Sequence, residues 1–456
     1  MPARRLALLL AACAFGASGC ATYSDRLQAA TSAVDGGAYA DGLKSLNDAL
    51  RVDSEEELPE RFRSNDPLTV LERGIVLQSL GRFEESSRDL QAAEREIELL
   101  DLRVDSVGAL GRYLYSDSSR KYKAPPTERL ALNAVNLLNY LARGDLDGAA
   151  VEARRFQTQR EFLASNGIEA PGPASLGAYL AGIVFEKLGE GDRALRYYEE
   201  ALAGAGGDLA SLREPVARLA KGHLYRGPRL EALLAEIGPV APRSAKMGEI
   251  LVVTAVGRVP HKVPERMPIG AAVGYVGTIL THDLSVLERG IFKVLVYPAL
   301  RPVGSRFSEV VVRVDEEAAP VELLTDLGSA VTAEYEKSTP MILAAGVTRM
   351  LARAALAEGA RVAGQQASSG GGANQAGDIL GTVAALATEA ALVAADRPDT
   401  RSWTLLPGRF LVTRIAVLAG AHTVEVGFDA GGAAAHQVEV RVEPGGLATV
   451  VVTEPR

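Results

Sequence analysis

The stretch LERGIVLQSLGRFEESSRDLQAAE, Leu71 to Glu94, decides how the first half of the chain folds. Its apolar residues recur every three or four positions, which is the spacing of helices that bury one face. Gly81 interrupts the pattern near its middle, and the small residues Gly74 and Ala93 lie where two helices would touch. The stretch therefore predicts two helices that pack against each other across a short turn.

Related patterns occur three more times between Ala21 and about Ile237, in a region that lacks the alternation of β-strands. The equivalent positions are Gly37, Tyr39, Leu46 and Ala49, then Tyr140, Gly144, Leu146 and Ala149, and finally Gly182, Phe185, Ala194, Tyr198 and Ala201. We therefore expect an all-helical domain at residues 20–237 that contains four helix pairs. An irregular helical bundle is the alternative interpretation.

The offsets within each pair resemble those of tetratricopeptide repeats. The whole half resembles tetratricopeptide-containing lipoproteins of Gram-negative bacteria, with the strongest local match over Glu128 to Arg155. The units depart from the family in spacing, because steps of 44 and 63 residues separate Tyr39, Phe83 and Leu146, where the repeat has about 34. The resemblance implies an α-α superhelix whose groove binds a protein or peptide.

Carrying the family pattern onto this chain predicts which side chains line the groove. The first helices of two units place four residues there, namely Leu71, Ile75, Tyr179 and Ile183. The same four residues also fit the buried stripe of a packed helix, and periodicity does not distinguish the two arrangements. Burial in a core or under the second half of the chain therefore remains the alternative.

The N-terminus has the layout of a secretory signal, with two arginines, a short apolar run and small residues before Cys20. The run Leu6 to Phe15 is shorter than the ~20 apolar residues of a membrane span. Ala17-Ser18-Gly19-Cys20 resembles the lipobox of bacterial lipoproteins, which implies a signal peptide at residues 1–19 and acylation of Cys20. Ala21 follows, and the family's sorting rule then implies a lipid anchor in the outer membrane, facing the periplasm. An ordinary secretory signal is the alternative.

The composition argues against several classes of function. The formal charge of −8 becomes −10 when the two arginines of the signal are removed, which disfavours nucleic acid as a partner. Cys13 leaves with the signal and Cys20 carries lipid, so no disulfide or thiolate metal site is expected. The five histidines show no ligand spacing, so we expect no metal and no cofactor.

Residues 238–247, GPVAPRSAKM, contain prolines and no helical stripe, and they predict a linker before a β domain at 248–456. Seven short runs rich in β-branched residues predict strands; they begin near Glu249, Ile291, Phe307, Phe410, Ala421, Ala435 and Leu447. Glycine-containing turns between the last four favour antiparallel pairing, so we expect an antiparallel β-sandwich or barrel.

An Ala-rich helical hairpin, Met341 to Val362 and Asp378 to Ala395, is expected as an insertion at about 323–396 of the β domain. A membrane-inserting hairpin is the alternative. Arginines in the first helix, such as Arg349 and Arg353, and the weak hydropathy of alanine argue against that alternative. The sequence as a whole therefore predicts a multidomain α plus β protein.

The sequence contains no catalytic motif that would indicate an enzyme. His282-Asp283 with Ser285 is the nearest approach to a hydrolytic group, but sequence neighbours rarely form a catalytic triad. The paired acids Glu334 and Glu336 indicate a solvated helix face. We therefore expect an outer-membrane-anchored periplasmic lipoprotein that is a non-catalytic protein-binding scaffold in cell-envelope biogenesis. A lipoprotein regulator of peptidoglycan synthesis and a cell-wall hydrolase are the alternatives.

Overall fold

A computed structural model of the chain describes residues 23–99, 122–205, 209–238, 243–276, 294–368, 398–428 and 433–456. The predicted signal peptide, Cys20, the second Ala-rich helix and His282 lie outside these described residues. The described part contains helices and strands in the order that the sequence predicts, so the α plus β class is confirmed. None of its helices is long and apolar enough to cross a membrane.

The first half consists of helices that follow one another in pairs. Their bounds are α1 Tyr23–Asp35, α2 Tyr39–Leu50, α3 Asp66–Ser79, α4 Phe83–Glu96, α5 Pro126–Ala142, α6 Leu146–Ser165, α7 Pro171–Lys187, α8 Gly191–Ala205, α9 Ala210–Leu219 and α10 Pro228–Glu236. Two short strands, β1 Glu98–Leu99 and β2 Lys123–Ala124, pair in parallel between α4 and α5. Helix pairs are therefore the building unit of this half, and its described residues contain a fifth pair, α9 with α10, in addition to the four that the sequence predicts.

Glycine ends the first helix of each of the first four pairs. Gly37, Gly81, Gly144 and Gly189 all have φ between 69° and 79°, a backbone conformation that other residues rarely adopt. Small residues also mark the helix contacts, because the ring of Tyr198 lies where a Cβ on Gly182 would be. The glycine pattern in the sequence thus fixes both the turns and the closeness of the paired helices.

The second half forms two four-stranded sheets and a separate hairpin. The strands are β3 Met247–Arg258, β4 His261–Pro268, β5 Val294–Arg301, β6 Val310–Val314, β7 Glu317–Ala319, β8 Glu322–Asp326, β9 Pro407–Leu418, β10 Gly420–Phe428, β11 Ala433–Val442 and β12 Leu447–Glu454. Sheet one has the order β12-β3-β9-β8, sheet two has the order β11-β10-β6-β7, and β4 pairs with β5. All seven predicted strands are confirmed, and those predicted from Ile291 and Phe307 are β5 and β6.

The prediction that every strand is antiparallel is wrong for the last one. β12 runs parallel to β3, with Val450 opposite Val252. The turn before β12 is not a hairpin, because Gly445 donates a hydrogen bond to the carbonyl of Met247 and the carbonyl of Gly446 accepts one from Glu249. These bonds fasten the turn to the start of β3. The chain therefore leaves sheet two and enters sheet one in the direction of β3.

The predicted insertion begins slightly later than expected. Residues 322–326 form β8, and helix α12 then runs from Leu327 to Ser368. A short helix, α11 Ile269–Val276, packs with the β4-β5 hairpin against α12. Leu295, Leu343 and Val347 are central to the small hydrophobic cluster that joins these elements. This cluster therefore holds α12 against α11 and the β4-β5 pair.

Sheet one lies between the helices and sheet two. Leu251 and Val253 of β3 belong to the core that the helices share, whereas Ile250 and Val252 belong to the core between the two sheets. Alternate residues of a strand point to opposite faces, so β3 is buried on both. The helical domain and the β domain, which the sequence predicts on either side of a linker at residues 238–247, therefore share one hydrophobic core.

Candidate functional site

The four residues predicted to line an open groove lie in the shared core. Leu71 is 1% exposed, and Ile75, Tyr179 and Ile183 are 0% exposed. They belong to the same hydrophobic cluster as Leu251 of β3. The prediction of an open groove at these residues is therefore wrong, because sheet one covers the helix faces that would form it.

The inner helices α3, α5 and α7 contact sheet one directly. Residues 66–78 of α3 are all buried, so this helix has no solvated face. Gln78 of α3 accepts a hydrogen bond from the hydroxyl of Thr453 in β12 at 2.9 Å. Within the helix array, burial raises the pKa of Tyr179 of α7, whose hydroxyl donates to Ser211 Oγ of α9 at 2.8 Å. The helix array and the sheet are thus joined by polar as well as apolar contacts.

A buried ion-pair network, which we call the Arg414 network, joins α7 and α8 to β3 and β9. Arg414 Nη2 lies 2.9 Å from both carboxylate oxygens of Glu186. Its Nε and Nη2 each donate to Glu249 at 3.1 Å. Its Nη1 donates to the hydroxyl of Tyr198 at 3.0 Å, and that hydroxyl in turn donates to Glu186. One guanidinium therefore satisfies three side chains from three different elements.

Further cations complete the Arg414 network at its edge. Arg218 pairs with Glu186, and Lys187 pairs with Glu249. Arg243 Nη1 also lies 3.0 Å from Glu249. Burial alone would raise the pKa of both glutamates, but Arg414 together with the neighbouring cations, Arg218 at Glu186 and Lys187 at Glu249, outweighs burial and lowers both values. Both carboxylates are therefore held ionised inside the protein.

A second polar cluster, the glutamate cluster, consists of Glu72, Glu128 and Glu334. Glu72 accepts backbone hydrogen bonds from Thr404 and Leu405, each at 2.7 Å. Glu128 accepts one from the backbone N–H of Trp403 at 3.1 Å and another from the hydroxyl of Tyr122. The first two glutamates thereby hold residues 403–405, which lead into β9, against helices α3 and α5.

The third member attaches α12 to the same region. Glu334 accepts hydrogen bonds from the backbone N–H of Thr127, at 2.9 Å, and from its hydroxyl. Burial raises the pKa of Glu72 to about 8 and that of Glu334 to about 7, and it also raises that of Glu128. Glu334 is half-buried and bonded to Thr127, so the prediction that it belongs to a solvated face is wrong, whereas Glu336 is exposed.

A cavity of about 50 Å³ lies beside the glutamate cluster. Its lining includes Glu128, Lys262, Glu334, Tyr335 and Ser402. The volume suits one or two water molecules but not a substrate of ordinary size. Raised carboxylate pKa values in a cavity are typical of catalytic sites, but here the carboxylates are occupied by backbone donors. The cavity therefore belongs to the packing between α5, α12 and the segment before β9.

The opposite face of α12 lines an open cleft of about 690 Å³. Arg258, Asp326, Glu336 and Arg409 contribute its charges, so the cleft has no excess of either sign. Arg258 pairs with Asp35 at 2.6 Å, and Asp326 caps α12 by accepting from the backbone N–H of Ser329 at 2.9 Å. The cleft therefore offers hydrogen bonds to a ligand without a strong preference for one charge.

The sequence gives little indication that the residues of the glutamate cluster are brought together. Glu72 lies in a helix whose apolar residues occupy more than one face, which indicates burial of most of the helix. Its partners, Thr404 and Leu405, follow more than 300 residues later in the chain. Within the described ranges, no group of three or more His, Cys, Asp or Glu residues is arranged to hold a metal ion. The polar clusters thus depend on tertiary contacts that no local pattern shows.

Comparison with known proteins gives no relative from which function could be transferred. No family model matches the chain, no curated protein matches it, and no solved structure matches it. Its function is therefore inferred from its own residues.

Proposed function

We propose that this protein is an outer-membrane-anchored periplasmic lipoprotein that acts as a non-catalytic protein-binding scaffold in cell-envelope biogenesis. The observation that supports the proposal is the role of the buried charged groups. Arg414 joins helices to strands through Glu186 and Glu249, and Glu72 holds backbone N–H groups. Buried polar networks that are satisfied in this way make a fold rigid, which suits a scaffold better than proton transfer.

In this proposal, the helix pairs form a tetratricopeptide-like superhelix, and sheet one of the same chain fills the groove of that superhelix. Glycine turns at equivalent positions of successive pairs support the likeness. In such arrays the first helix of each pair lines the groove, and here α3, α5 and α7 contact sheet one instead. A protein partner therefore binds the outer faces of the array, where α4, α6 and α8 expose their polar sides.

The lipid anchor is tested by Cys20→Ala. We expect this variant to leave the membrane fraction, because the anchor depends on that one side chain, and the wild type to incorporate labelled palmitate. Cys13→Ala is the matched control, since Cys13 would be removed with the signal. If Cys20→Ala stayed in the membrane fraction after a carbonate wash, the lipoprotein assignment would be wrong.

The scaffold role is tested by crosslinking in cells followed by mass spectrometry. We expect the wild type to capture a defined envelope protein, and Cys20→Ala to capture less of it because the anchor sets the location. Capture of a peptidoglycan synthase would identify the protein as a regulator of peptidoglycan synthesis. If the wild type captured the same proteins as an unrelated lipoprotein of similar abundance, the scaffold proposal would fail.

One contact favours the second candidate, a cell-wall hydrolase. His436 Nε2 lies 2.9 Å from Glu454 Oε1, which is a histidine and acid pair. Glu454 is also bonded to Tyr39 and to Arg456, so its carboxylate serves a structural cluster as well. The discriminating measurement is release of soluble fragments from purified peptidoglycan. We expect none from the wild type; release that His436→Ala abolishes would establish the hydrolase.

A further inference from the structure

Helices α4 and α6 form the two walls of a groove on the outer surface of the helical array, which we call the outer groove. It measures about 590 Å³ and is lined by Gln91, Glu94 and Arg95 of α4 and by Val151, Arg154, Arg155, Thr158 and Gln159 of α6. These positions are three or four residues apart on each helix, so each wall is one continuous helix face. The outer groove is therefore a regular surface feature and not a gap in packing.

Hydrogen bonds from helix α5 fix the two walls of the outer groove relative to each other. Asn133 of α5 donates to Glu94 of α4 at 3.0 Å and to Glu152 of α6 at 2.6 Å. Asn136 donates to the other oxygen of Glu152 at 3.1 Å. Gln91 donates to the hydroxyl of Tyr140 at 2.5 Å. A groove held in this way loses little conformational entropy when a ligand binds.

The outer groove is basic on a protein that is acidic overall. Three arginines and one glutamate line it, whereas the whole chain has a formal charge of −8. Arg155 lies 3.7 Å from both Glu94 and Glu152, so part of its charge is neutralised. Burial raises the pKa of Glu152 to about 7, which reduces the negative charge beneath the groove near neutral pH. Arg95 and Arg154 are exposed lining residues, and the guanidinium of Arg154 also lies 5.9 Å from the centre of the Phe185 ring.

We propose that the outer groove binds an acidic peptide segment of an envelope protein. This inference rests on the proposed scaffold function and names the chemistry of its partner. Residues 151–159 span about 12 Å of helix, which matches roughly four residues of an extended peptide. Guanidinium groups bind carboxylates through paired charge-assisted hydrogen bonds, and Val151, which is 48% exposed, offers an apolar contact in the same groove.

The test uses the purified protein and a fluorescent hexaglutamate peptide, with binding measured by polarisation. The variant is Arg95→Glu/Arg154→Glu, because both side chains are exposed and their loss should not affect folding. We expect its affinity to fall at least tenfold, with the melting temperature unchanged. Arg441→Glu is the matched control, since that side chain is 77% exposed and lies on β11. Its affinity should equal that of the wild type.

Two further measurements separate the peptide from other anionic partners. Binding of hexaglutamate should weaken as salt rises from 20 to 200 mM, because exposed charges are screened over about 10 Å at 0.1 M. Phosphatidylglycerol vesicles and inorganic phosphate should bind the wild type and the double variant equally. If the vesicles or phosphate, and not the peptide, lost affinity in the double variant, the groove would be a lipid or phosphate site and the proposal would be wrong.

The outcomes also distinguish this inference from the proposed function. Equal affinity of the wild type and the double variant for hexaglutamate would overturn the acidic-peptide site, even if crosslinking in cells captured a partner elsewhere. Loss of affinity in the double variant would support the site even if that crosslinking captured no defined partner, in which case the scaffold proposal alone would fail.

Discussion

The Arg414 network and the glutamate cluster stabilise buried glutamates in different ways, the first with a cation and the second with backbone N–H groups. Both join the helices to the sheet side of the molecule, and both are buried. Arg414 meets Glu186 and Glu249 with full charges, whereas Glu72 and Glu128 meet the backbone N–H groups of residues 403–405. The first carboxylates have lowered pKa values and the second have raised ones. Burial raises a carboxyl pKa unless a cation is supplied with it.

This difference gives the two clusters opposite dependence on pH. A carboxyl whose folded pKa is lowered contributes stability above its unfolded pKa of about 4.3, and that stability is lost as pH falls. A carboxyl whose folded pKa is raised contributes stability below that value, and it is lost as pH rises through the folded pKa. The Arg414 network therefore weakens in acid. The glutamate cluster weakens between about pH 4.3 and 8.

The largest expected effect comes from breaking the ion pairs of the Arg414 network. Arg414→Ala leaves Glu186 and Glu249 buried with fewer cations, and we expect it to lower the free energy of unfolding by about 3–5 kcal/mol. Urea denaturation monitored by circular dichroism measures this change. Arg441→Ala, at an exposed position on β11, is the control and should change it by less than about 0.5 kcal/mol. Equal effects would mean that the buried pairs contribute no stability.

Removing one acceptor of the glutamate cluster should lower the free energy of unfolding by a somewhat smaller amount. Glu72→Ala leaves the backbone N–H groups of Thr404 and Leu405 without their acceptor, and each such buried donor costs about 1–3 kcal/mol. Removal of the desolvated carboxyl group offsets part of this cost, so we expect the free energy of unfolding, measured by urea denaturation, to decrease by about 2–4 kcal/mol. Glu84→Ala, at an exposed position of α4, serves as the control. A stabilised Glu72→Ala protein would show that burial of the carboxyl outweighs its hydrogen bonds.

A single hydroxyl tests how much of the Arg414 network depends on its neutral member. Tyr198→Phe removes the contact with Arg414 and the donation to Glu186 but keeps the ring beside Gly182. We expect the free energy of unfolding to fall by about 1–2 kcal/mol. Tyr225→Phe is the control for loss of a hydroxyl outside the network. A decrease as large as that of Arg414→Ala would mean that the network acts as one cooperative unit.

The smallest expected effect is a change in pH dependence. Between pH 6 and pH 8 the wild type should lose about 1 kcal/mol of stability from Glu334 alone, because its folded pKa is about 7 and its unfolded value is lower. Glu334→Gln keeps an acceptor for Thr127 and does not titrate. The variant should therefore show a smaller difference between urea denaturation at the two pH values. An unchanged difference would show that Glu334 is solvated, as its sequence surroundings predict.

The sequence indicates in part which strand and which helix are buried between other elements. The run ILVV, Ile250 to Val253 of β3, is apolar at four consecutive positions, which indicates a strand that is buried on both faces. The stretch around Leu71 is apolar on more than one helix face, which indicates an inner helix. The amphipathic stripe explains the outer helices, but it does not say what covers an inner one. The groove prediction failed for that reason.

Local chemistry determined the helix pairs, their glycine turns and most of the strands, because spacing and backbone preference act over a few residues. Only the tertiary structure decided that sheet one fills the inner face of the helices and that β12 runs parallel to β3. It also decided the partners of Glu72 and Arg414, since each cluster joins residues more than 150 positions apart in the chain. Long-range pairing depends on which surfaces fit together when all the elements are present, and a periodic pattern contains no information about that fit.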